Sequence, residues 1–557
     1  MRPGAPVPAI TLTDLSFSYT AEPLLEGVSF TVVNGERACL IGPNGCGKTT
    51  LLNIVTGDLV PRSGSAEITG VEGGAVGLRR APDVLTMTGT VGDYLTAATE
   101  PIRALSSRFD NVNAALATSP SPAEERRLAR EFDELLARME AADVWSLDAR
   151  IEEILAGLGL GLLAGEAGKD RDLATLSPGQ RGRLELAATL LAAPSVLVLD
   201  EPTNHLDAEA ACFLSALLRD FHGPILFASH DRAFIDETAT VLLDLDTAPW
   251  QALLTATGGG VLPGVQRCAG GYADYLERKA AARAGHVQLH AAQQEEKKQI
   301  RAHRRSAEDI KEGGVRLKEA KGVEKKFFAD RASKTMTRRT RNDDRKMEAL
   351  THREVRKPRE YLLRMDLPPV GEASGSLALA IRKAHVPGRL APITHDVRVG
   401  EHLLLTGANG AGKSTLLQWI ASGTAPTPDS TGSIDPGGRL ALVPQRLPAP
   451  GDPGLDPETW EAGIGELGTG ILHPSMWHRP IAELSAGNQR RVQLALAVAA
   501  SPEILIVDEP TNYLDLDSIE ALEGALADWN GTLLVASHDR WLLDHWAGER
   551  IELEPAR

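Results

Sequence analysis

GPNGCGKTT at Gly42–Thr50 and GANGAGKST at Gly407–Thr415 decide the fold of this chain, because both follow short apolar segments and both end on the lysine and hydroxyl of a phosphate-binding loop. Glycines such as Gly42, Gly45 and Gly47, and likewise Gly407, Gly410 and Gly412, let successive backbone N–H groups point into one concavity, with Asn44 and Asn409 inside the turn. Lys48 and Lys413 would neutralise outer phosphates there, while Thr49 and Ser414, each followed by a second hydroxyl (Thr50, Thr415), would reach a Mg²⁺ ion. One such loop is a glycine turn that chance can supply. Two call for the rest of the chain to be read as a repeat.

The repeat holds downstream. LSPGQRGRLELA from Leu176 returns as LSAGNQRRVQLA from Leu484, VLVLDEPTNHLD as ILIVDEPTNYLD, and ASHDR from Ala228 as ASHDR from Ala536. Ser177 to Asp200 spans 23 residues, as does Ser485 to Asp508, and 30 residues separate Asp200 from His230 and Asp508 from His538. Lys48 to Asp200 is 152 residues but Lys413 to Asp508 only 95, which places an insertion of 57 between Arg80 and Ser177. Each half is therefore one copy of an α/β fold. Runs such as Val196–Leu199, Ile225–Phe227, Ile504–Val507 and Leu533–Val535 lack polar alternation and read as parallel strands covered on both faces.

The insertion, Pro101–Leu155, reads as a helical hairpin broken at Ser119-Pro120-Ser121-Pro122. Between the halves, Tyr272–Ile310 and Lys325–Leu350 read as two long charged helices turning near Gly313-Gly314, and Pro368-Pro369 opens the second half. These signals predict a first domain over 1–265 with a helical arm at about 97–160, a linker over 266–365, and a second domain over 366–557.

With 557 residues the chain is long enough for two hydrophobic cores, and its 43% apolar and 24% charged residues exclude a disordered or disulfide-stapled protein. No apolar run of membrane-spanning length occurs, the start MRPGAPVPAITLTD has no secretory pattern, and Cys39, Cys46, Cys212 and Cys268 form no CxxC pair. A cytoplasmic protein with reduced thiols is expected. The net charge of -16 conceals an uneven distribution: Tyr272–Arg364 carries 26 basic against 15 acidic residues, an excess of 11 positive charges between two acidic bodies. Such a segment suits a polyanion, by phosphate neutralisation and counterion release, although charged helices are also commonly just solvated.

The chemistry of the repeated motifs is hydrolysis of a nucleoside triphosphate. Asp200 and Asp508 end strands where they would complete the metal site, and Glu201 and Glu509 follow as bases for the attacking water. His230 and His538, one strand later, suit contact with the γ-phosphate.

The phosphate loops, LSPGQ and LSAGN, the VLDEP and IVDEP blocks and the SHD tripeptides resemble ATP-binding cassette ATPases. Two cassettes on one chain, EPTNHLD and EPTNYLD, and a charged helical linker resemble the ABC-F members specifically. The resemblance implies two P-loop NTPase domains closing head to tail within one monomer around two ATP molecules. The Lys48 loop would face Ser485, Gly487 and Asn488, the Lys413 loop would face Ser177, Gly179 and Gln180, and Asp207 and Asp515 would sit at the interface. The family's glutamine at the metal falls on Gln445 in the second half but on Arg80 in the first, and Tyr19 could stack on adenine in site one where the same spacing in the second half gives Ala384, beside His385. Pro178 and Ala486 replace a signature glycine and Asn488 a glutamine, so the two sites are expected to differ.

The resemblance further implies a 70S ribosome partner, with the linker 272–364 approaching rRNA and the P-site tRNA and the arm reaching exit-site elements. A hairpin tip is expected at Lys311–Lys326, where Val315, Leu317, Phe327 and Phe328 either stack on bases or hold the helices together. The extended linker and the Ala/Arg/Gly-rich composition resemble actinobacterial antibiotic-resistance members that protect ribosomes from macrolide- or lincosamide-type drugs, which is the expected role; housekeeping translation factors share all this ATP chemistry and are the alternative. An ATPase subunit of a drug-export transporter is the reading of another class, opposed by the basic linker, and a DNA-associated ATPase is opposed by the acidic cassettes.

Overall fold

The computed structural model describes residues 7–70, 88–118, 121–192, 194–204, 206–313, 323–358, 367, 369, 376–408 and 410–556. In the first half the main sheet runs in the order Leu197–Asp200, Ile225–Ala228, Arg37–Ile41, Val241–Asp244, Gln266–Ala269, parallel except for its last strand. In the second half it runs Leu440–Val443, Ile504–Asp508, Thr532–Ala536, His402–Thr406, Glu549–Glu552, parallel throughout. The expected apolar runs form strands of these sheets, Leu197–Asp200 at an edge and the other three inside, and residues such as Leu40, Phe227, Leu505 and Leu534 are fully buried, as strands covered on both faces require. A three-stranded antiparallel sheet accompanies each main sheet: Leu25–Val33, Ala9–Phe17 and Ser63–Thr69 in one half, Leu390–Arg398, Leu377–Val386 and Thr431–Pro436 in the other.

The phosphate loops leave Ile41 and Thr406, so they emerge at the carboxyl ends of interior strands, where open α/β sheets bind ligands. Asp200, Asp508 and the two SHD segments leave the same edges.

The insertion departs from expectation at both ends. Its first helix, Val91–Ala117, starts ten residues before Pro101, because Thr90 and Asp93 form a capping box and Pro101 is accommodated inside the helix. The second, Pro122–Ala141, is capped by Ser121 with Pro122 in its first turn. Phe109 and Phe132 pack at 4.7 Å between the helices, beside buried Val112, Leu128 and Leu135. The hairpin does not extend to Leu155. Chain direction changes at Asp143, with φ 47°, and Leu147–Gly157 then turns Ile151, Ile154 and Leu155 into the main core.

The linker forms helices Tyr272–Gly313 and Val323–His352. They are tied side by side by His303 Nδ1 to Asp343 Oδ2 at 2.7 Å, by Arg304 to Asp344 at 3.1 Å, and by Gln293, which donates to the Arg353 carbonyl and accepts from the Val355 N–H. Most of the expected tip, with Val315 and Leu317, lies outside the described residues, as do the side chains of Phe327 and Phe328. Among the described residues no helix is long and apolar enough to cross a membrane.

Candidate functional site

Both loops turn through left-handed glycines: Gly45 and Gly47 have φ 81° and 101°, Gly410 and Gly412 φ 87° and 95°. At Gly412 a Cβ would lie 2.3 Å from the Arg389 carbonyl, so no larger residue fits. Helices Lys48–Val55 and Lys413–Ser422 follow, their first N–H groups facing the concavity. The lysines are buried; Lys48 Nζ donates to the Gly42 and Pro43 carbonyls at 2.8 and 3.3 Å, and Lys413 Nζ to Gly407 and Ala408 at 2.7 and 3.3 Å. Thr49 is exposed, Thr50 is buried, and the Tyr19 hydroxyl lies 3.3 Å from Thr50 Oγ1 with its ring 65% exposed beside the loop. In the second half Ala384 is fully buried and offers no such face.

Glu201 and Glu509 share an unusual backbone, φ 47° and 52°, which costs a non-glycine residue energy and persists only where surroundings over-determine it. Their N–H groups donate to the Ala228 and Ala536 carbonyls, both at 2.8 Å, which presents each carboxylate to the neighbouring histidine. The pairing then diverges. Glu201 Oε2 accepts from the His230 N–H at 3.1 Å, and Oε1 lies 3.3 Å from His230 Nε2. Glu509 Oε1 lies 2.7 Å from His538 Nδ1, the opposite edge of the ring. Burial pushes the Glu201 carboxyl up to about 7, against the pull of Lys48, and pushes His230 down to about 3, with Lys48 adding to the effect. His538 is instead raised, chiefly by its hydrogen bond to Glu509. The two imidazoles are thus shifted in opposite directions, His230 toward the neutral form and His538 toward the protonated one.

Asp200 is exposed whereas Asp508 is buried and pushed upward by desolvation, with the Ser414 hydroxyl hydrogen-bonded to it. Asp508 Oδ1 is buried and has no hydrogen-bond partner among the described residues. With Ser414 and exposed Gln445 this is an all-oxygen set around an unsatisfied carboxylate, the donor chemistry of a hard divalent cation such as Mg²⁺. Arg80 lies outside the described residues.

The signature segments open helices. Ser177 caps Pro178–Leu191 in a capping box with Gln180, and Pro178 takes the first helical position. Ser485 caps Ala486–Ala499 by accepting from the Asn488 N–H at 3.4 Å, and the Gln489 amide donates to the Leu484 carbonyl. Gly179 lies in the first turn of its helix.

The two halves meet at site one. The Asn44 N–H donates to Asp515 Oδ2 and its amide to the Tyr513 carbonyl, both at 3.0 Å. A Cβ on Gly487 would come within 2.8 Å of that amide nitrogen, so the Lys48 loop sits directly against the second half's signature turn. Burial opposes the Asp515 charge, yet hydrogen bonds from Asn44 and Ser518 hold its carboxyl below the usual range. Across the pseudo-repeat, Asp207 caps its own helix by accepting from Ala210, and Asn409, the counterpart of Asn44, lies outside the described residues. No hydrogen bond among the described residues joins the Lys413 loop to Ser177, Gly179 or Gln180.

Sequence reasoning passed over the arginine that ends each ASHDR block, although the repeat displayed it. Arg232, 1% exposed, crosses to Glu523 (2.6 Å) and Asp539 (3.2 Å) of the second half. Arg540 crosses back to Glu237 at 2.8 Å.

The profile of the ABC transporter family matches residues 25–204 and 390–512. The tylosin resistance ATP-binding protein TlrC of Streptomyces fradiae is 32% identical over 99% of this chain and 98% of its own length. The energy-dependent translational throttle protein EttA of Mycobacterium tuberculosis is 29% identical over 94% of this chain and 87% of its own. Among solved structures, RNase-L Inhibitor superposes with a TM-score of 0.53 at 18% identity, covering 97% of this chain and 87% of that one, which is a likeness of fold. Duplicated phosphate loops, signature turns and strand-end Asp-Glu pairs, matched along the full length by these relatives, place the chain in the ATP-binding cassette family, as a member of its ABC-F branch of twin-cassette ATPases.

Proposed function

We propose that this ATPase is a ribosome-binding factor whose ATP-closed form docks its basic linker on ribosomal RNA and the P-site tRNA, with hydrolysis permitting release, and that it protects ribosomes from macrolide- or lincosamide-type drugs. The observation that carries the reading is where the linker is rooted. Lys279 Nζ, on the first turns of the linker, lies 3.2 Å from Asp244 and 3.7 Å from Asp246 of the first cassette and 3.9 Å from Asp517 of the second. Asp517 follows Asp515, which grips the Lys48 loop. Movement of one cassette against the other therefore bears directly on the direction of a cationic hairpin. Similarity over most of their length to a tylosin resistance protein and a translational throttle protein supports a role in translation and drug resistance.

In this mechanism Lys48 and Lys413 neutralise the outer phosphates, and the N–H groups of the Ser485–Asn488 turn close on the γ-phosphate above Lys48. Thr49 and Asp200 in site one, and Ser414, Asp508 and Gln445 in site two, would hold Mg²⁺. Held there, such a cation would supply positive charge to offset that developing on the phosphates. Glu201 and Glu509 take the proton of the attacking water, and His230 and His538 hold those carboxylates in line. Tyr19 offers its exposed ring to adenine. The Ser177–Gln180 turn and Asp207 serve the Lys413 loop in the same way.

The combined substitution Glu201→Gln and Glu509→Gln is expected to leave ATP binding intact and reduce turnover by roughly 10²- to 10⁴-fold, the usual weight of a general base. With ATP the variant should cosediment with ribosomes more than the wild type does. Equal cosedimentation would end the docking model, and salt-resistant association with membrane vesicles would favour a transporter subunit. Expression in a susceptible host should raise the tolerated macrolide or lincosamide concentration; unchanged susceptibility with intact ribosome binding would favour a housekeeping translation factor.

A further inference from the structure

We propose that Arg490 and Gln493 are positioning residues for hydrolysis in site two, and that the first cassette, with Gly182 and Glu185 at the corresponding places, lacks this brace and turns over ATP more slowly. The inference rests on the assignment of Glu201 and Glu509 as bases.

The two side chains lie three residues apart on helix Ala486–Ala499, on one face. Arg490 is completely buried. Its guanidinium donates to the Asp508 carbonyl at 2.8 Å, to the Glu509 carbonyl at 2.9 Å, to the Pro444 carbonyl, and to Gln493 Oε1 at 3.2 Å. Gln493 in turn donates to the Arg446 carbonyl at 2.9 Å. The backbone on both sides of Gln445 and at both strand-end carboxylates thus hangs on one connected pair of side chains.

Sheet pairing does this work on one side only, where Asp508 pairs with Ala536 and the Glu509 N–H donates to the Ala536 carbonyl. On the other side, strands Leu440–Val443 and Ile504–Asp508 are in register only as far as Val443 and Val507, so the pairing stops before Pro444–Arg446. Gln445 and Glu509 are the groups that must share one water, and Glu509 holds a left-handed φ that needs support from outside its own strand. A planar fork with five donors reaches several carbonyls at fixed angles, which a flexible ammonium does not.

Counting from the signature serine, Arg490 is the fifth residue after Ser485, and the fifth after Ser177 is Gly182. Glycine brings no donor. Gly182 lines a cavity together with Asp200 and Glu201, and Glu185, in place of Gln493, has a carboxylate that cannot donate to a carbonyl when ionised. The same comparison finds Asp508 buried and Asp200 exposed.

The first test needs no change at the brace. Glu201→Gln, which leaves turnover to site two, should retain the larger share of wild-type ATPase, and Glu509→Gln the smaller; the reverse order overturns the proposal. In the Glu201→Gln protein, Arg490→Gln should lower kcat by roughly 10- to 100-fold, the scale of misplacing a catalytic constellation by about 1 Å, and raise the Mg²⁺ concentration for half-maximal rate. Affinity for a fluorescent ATP analogue should stay within about twofold, Arg490→Lys should recover part of the rate, and Gln493→Ala should give a smaller loss in the same direction. Hydrogen exchange in the nucleotide-free protein should accelerate at residues 445–447 and 509 without a change across the central strands. An unchanged kcat and Mg²⁺ profile in both Arg490→Gln and Gln493→Ala would refute the brace. If Glu201→Gln with Glu509→Gln hydrolyses ATP as fast as Glu201→Gln alone, the assignment of the bases fails and the brace falls with it.

Discussion

Arg232→Met removes a cation from the interface while keeping an apolar stem of similar length, and its consequence can be worked out from the contacts. The guanidinium is 1% exposed, binds Glu523 through both terminal nitrogens and Asp539 through one, and lies 5.7 Å from the Trp541 ring. Burial opposes its charge, but the hydrogen bonds to Glu523 hold its pKa above the ordinary arginine value. Breaking a buried ion pair from one side typically costs about 3–5 kcal/mol, because the orphaned charge stays desolvated. Glu523 is 22% exposed, so water recovers part of this, and the lower end, about 3 kcal/mol, is the expected figure. At about 1.4 kcal/mol per factor of ten, cassette closure should weaken on the order of 100-fold. The assay is ATP titration of the Glu201→Gln, Glu509→Gln protein carrying one fluorophore on each cassette. The closure midpoint should move to much higher ATP, and adding Glu523→Gln with Asp539→Asn should restore most of it by removing the stranded charges. A shift under twofold, or no recovery in the combined variant, refutes the reasoning. Arg540 provides the internal contrast: its partner Glu237 is 39% exposed, so Arg540→Met should cost no more than about 1 kcal/mol.

Other outcomes follow from the same geometry. Glu509→Gln leaves turnover to site one, whose Glu201 carboxyl titrates at about 7, so the rate should rise with pH through that value as the base ionises, and a flat profile from pH 6 to 8 would contradict it. His230, held down at about 3, is neutral throughout that range and cannot supply the limb. Lys279→Met strands the fully buried Asp244 at the linker root, with an expected loss of about 3 kcal/mol, read as faster proteolysis of the linker and a lower melting temperature. Ribosome binding should weaken steeply with salt, and each linker cation replaced at Arg301 or Arg305 should reduce the slope of log K against log salt by about 0.7–0.9 if it contacts phosphate.

Much of this protein is legible in its residues read in order. A phosphate loop is a strand end, a glycine turn and a helix start in nine consecutive residues, and an Asp-Glu pair is the end of one strand, so each keeps its meaning wherever the fold places it. Repetition at equal spacing, 23 and 30 residues, extended those local meanings to two whole cassettes. The insertion was legible as two helices, but its limits were not, because Leu147–Gly157 has helical spacing whether it completes a hairpin or fills a core.

What only the tertiary structure decided depends on residues hundreds of positions apart. Arg232 meets Glu523 across 291 residues and Asn44 meets Asp515 across 471, so no local pattern announces either contact. The opposite shifts of His230 and His538 arise in the same way: the motifs are nearly identical, but burial lowers the one, while the hydrogen bond to Glu509 at the other edge of the ring raises the other. The sequence alone determined which groups are candidates for the chemistry; packing determined their burial, their register and their partners across the interface, because burial is a property of the assembled interior and not of any segment within it.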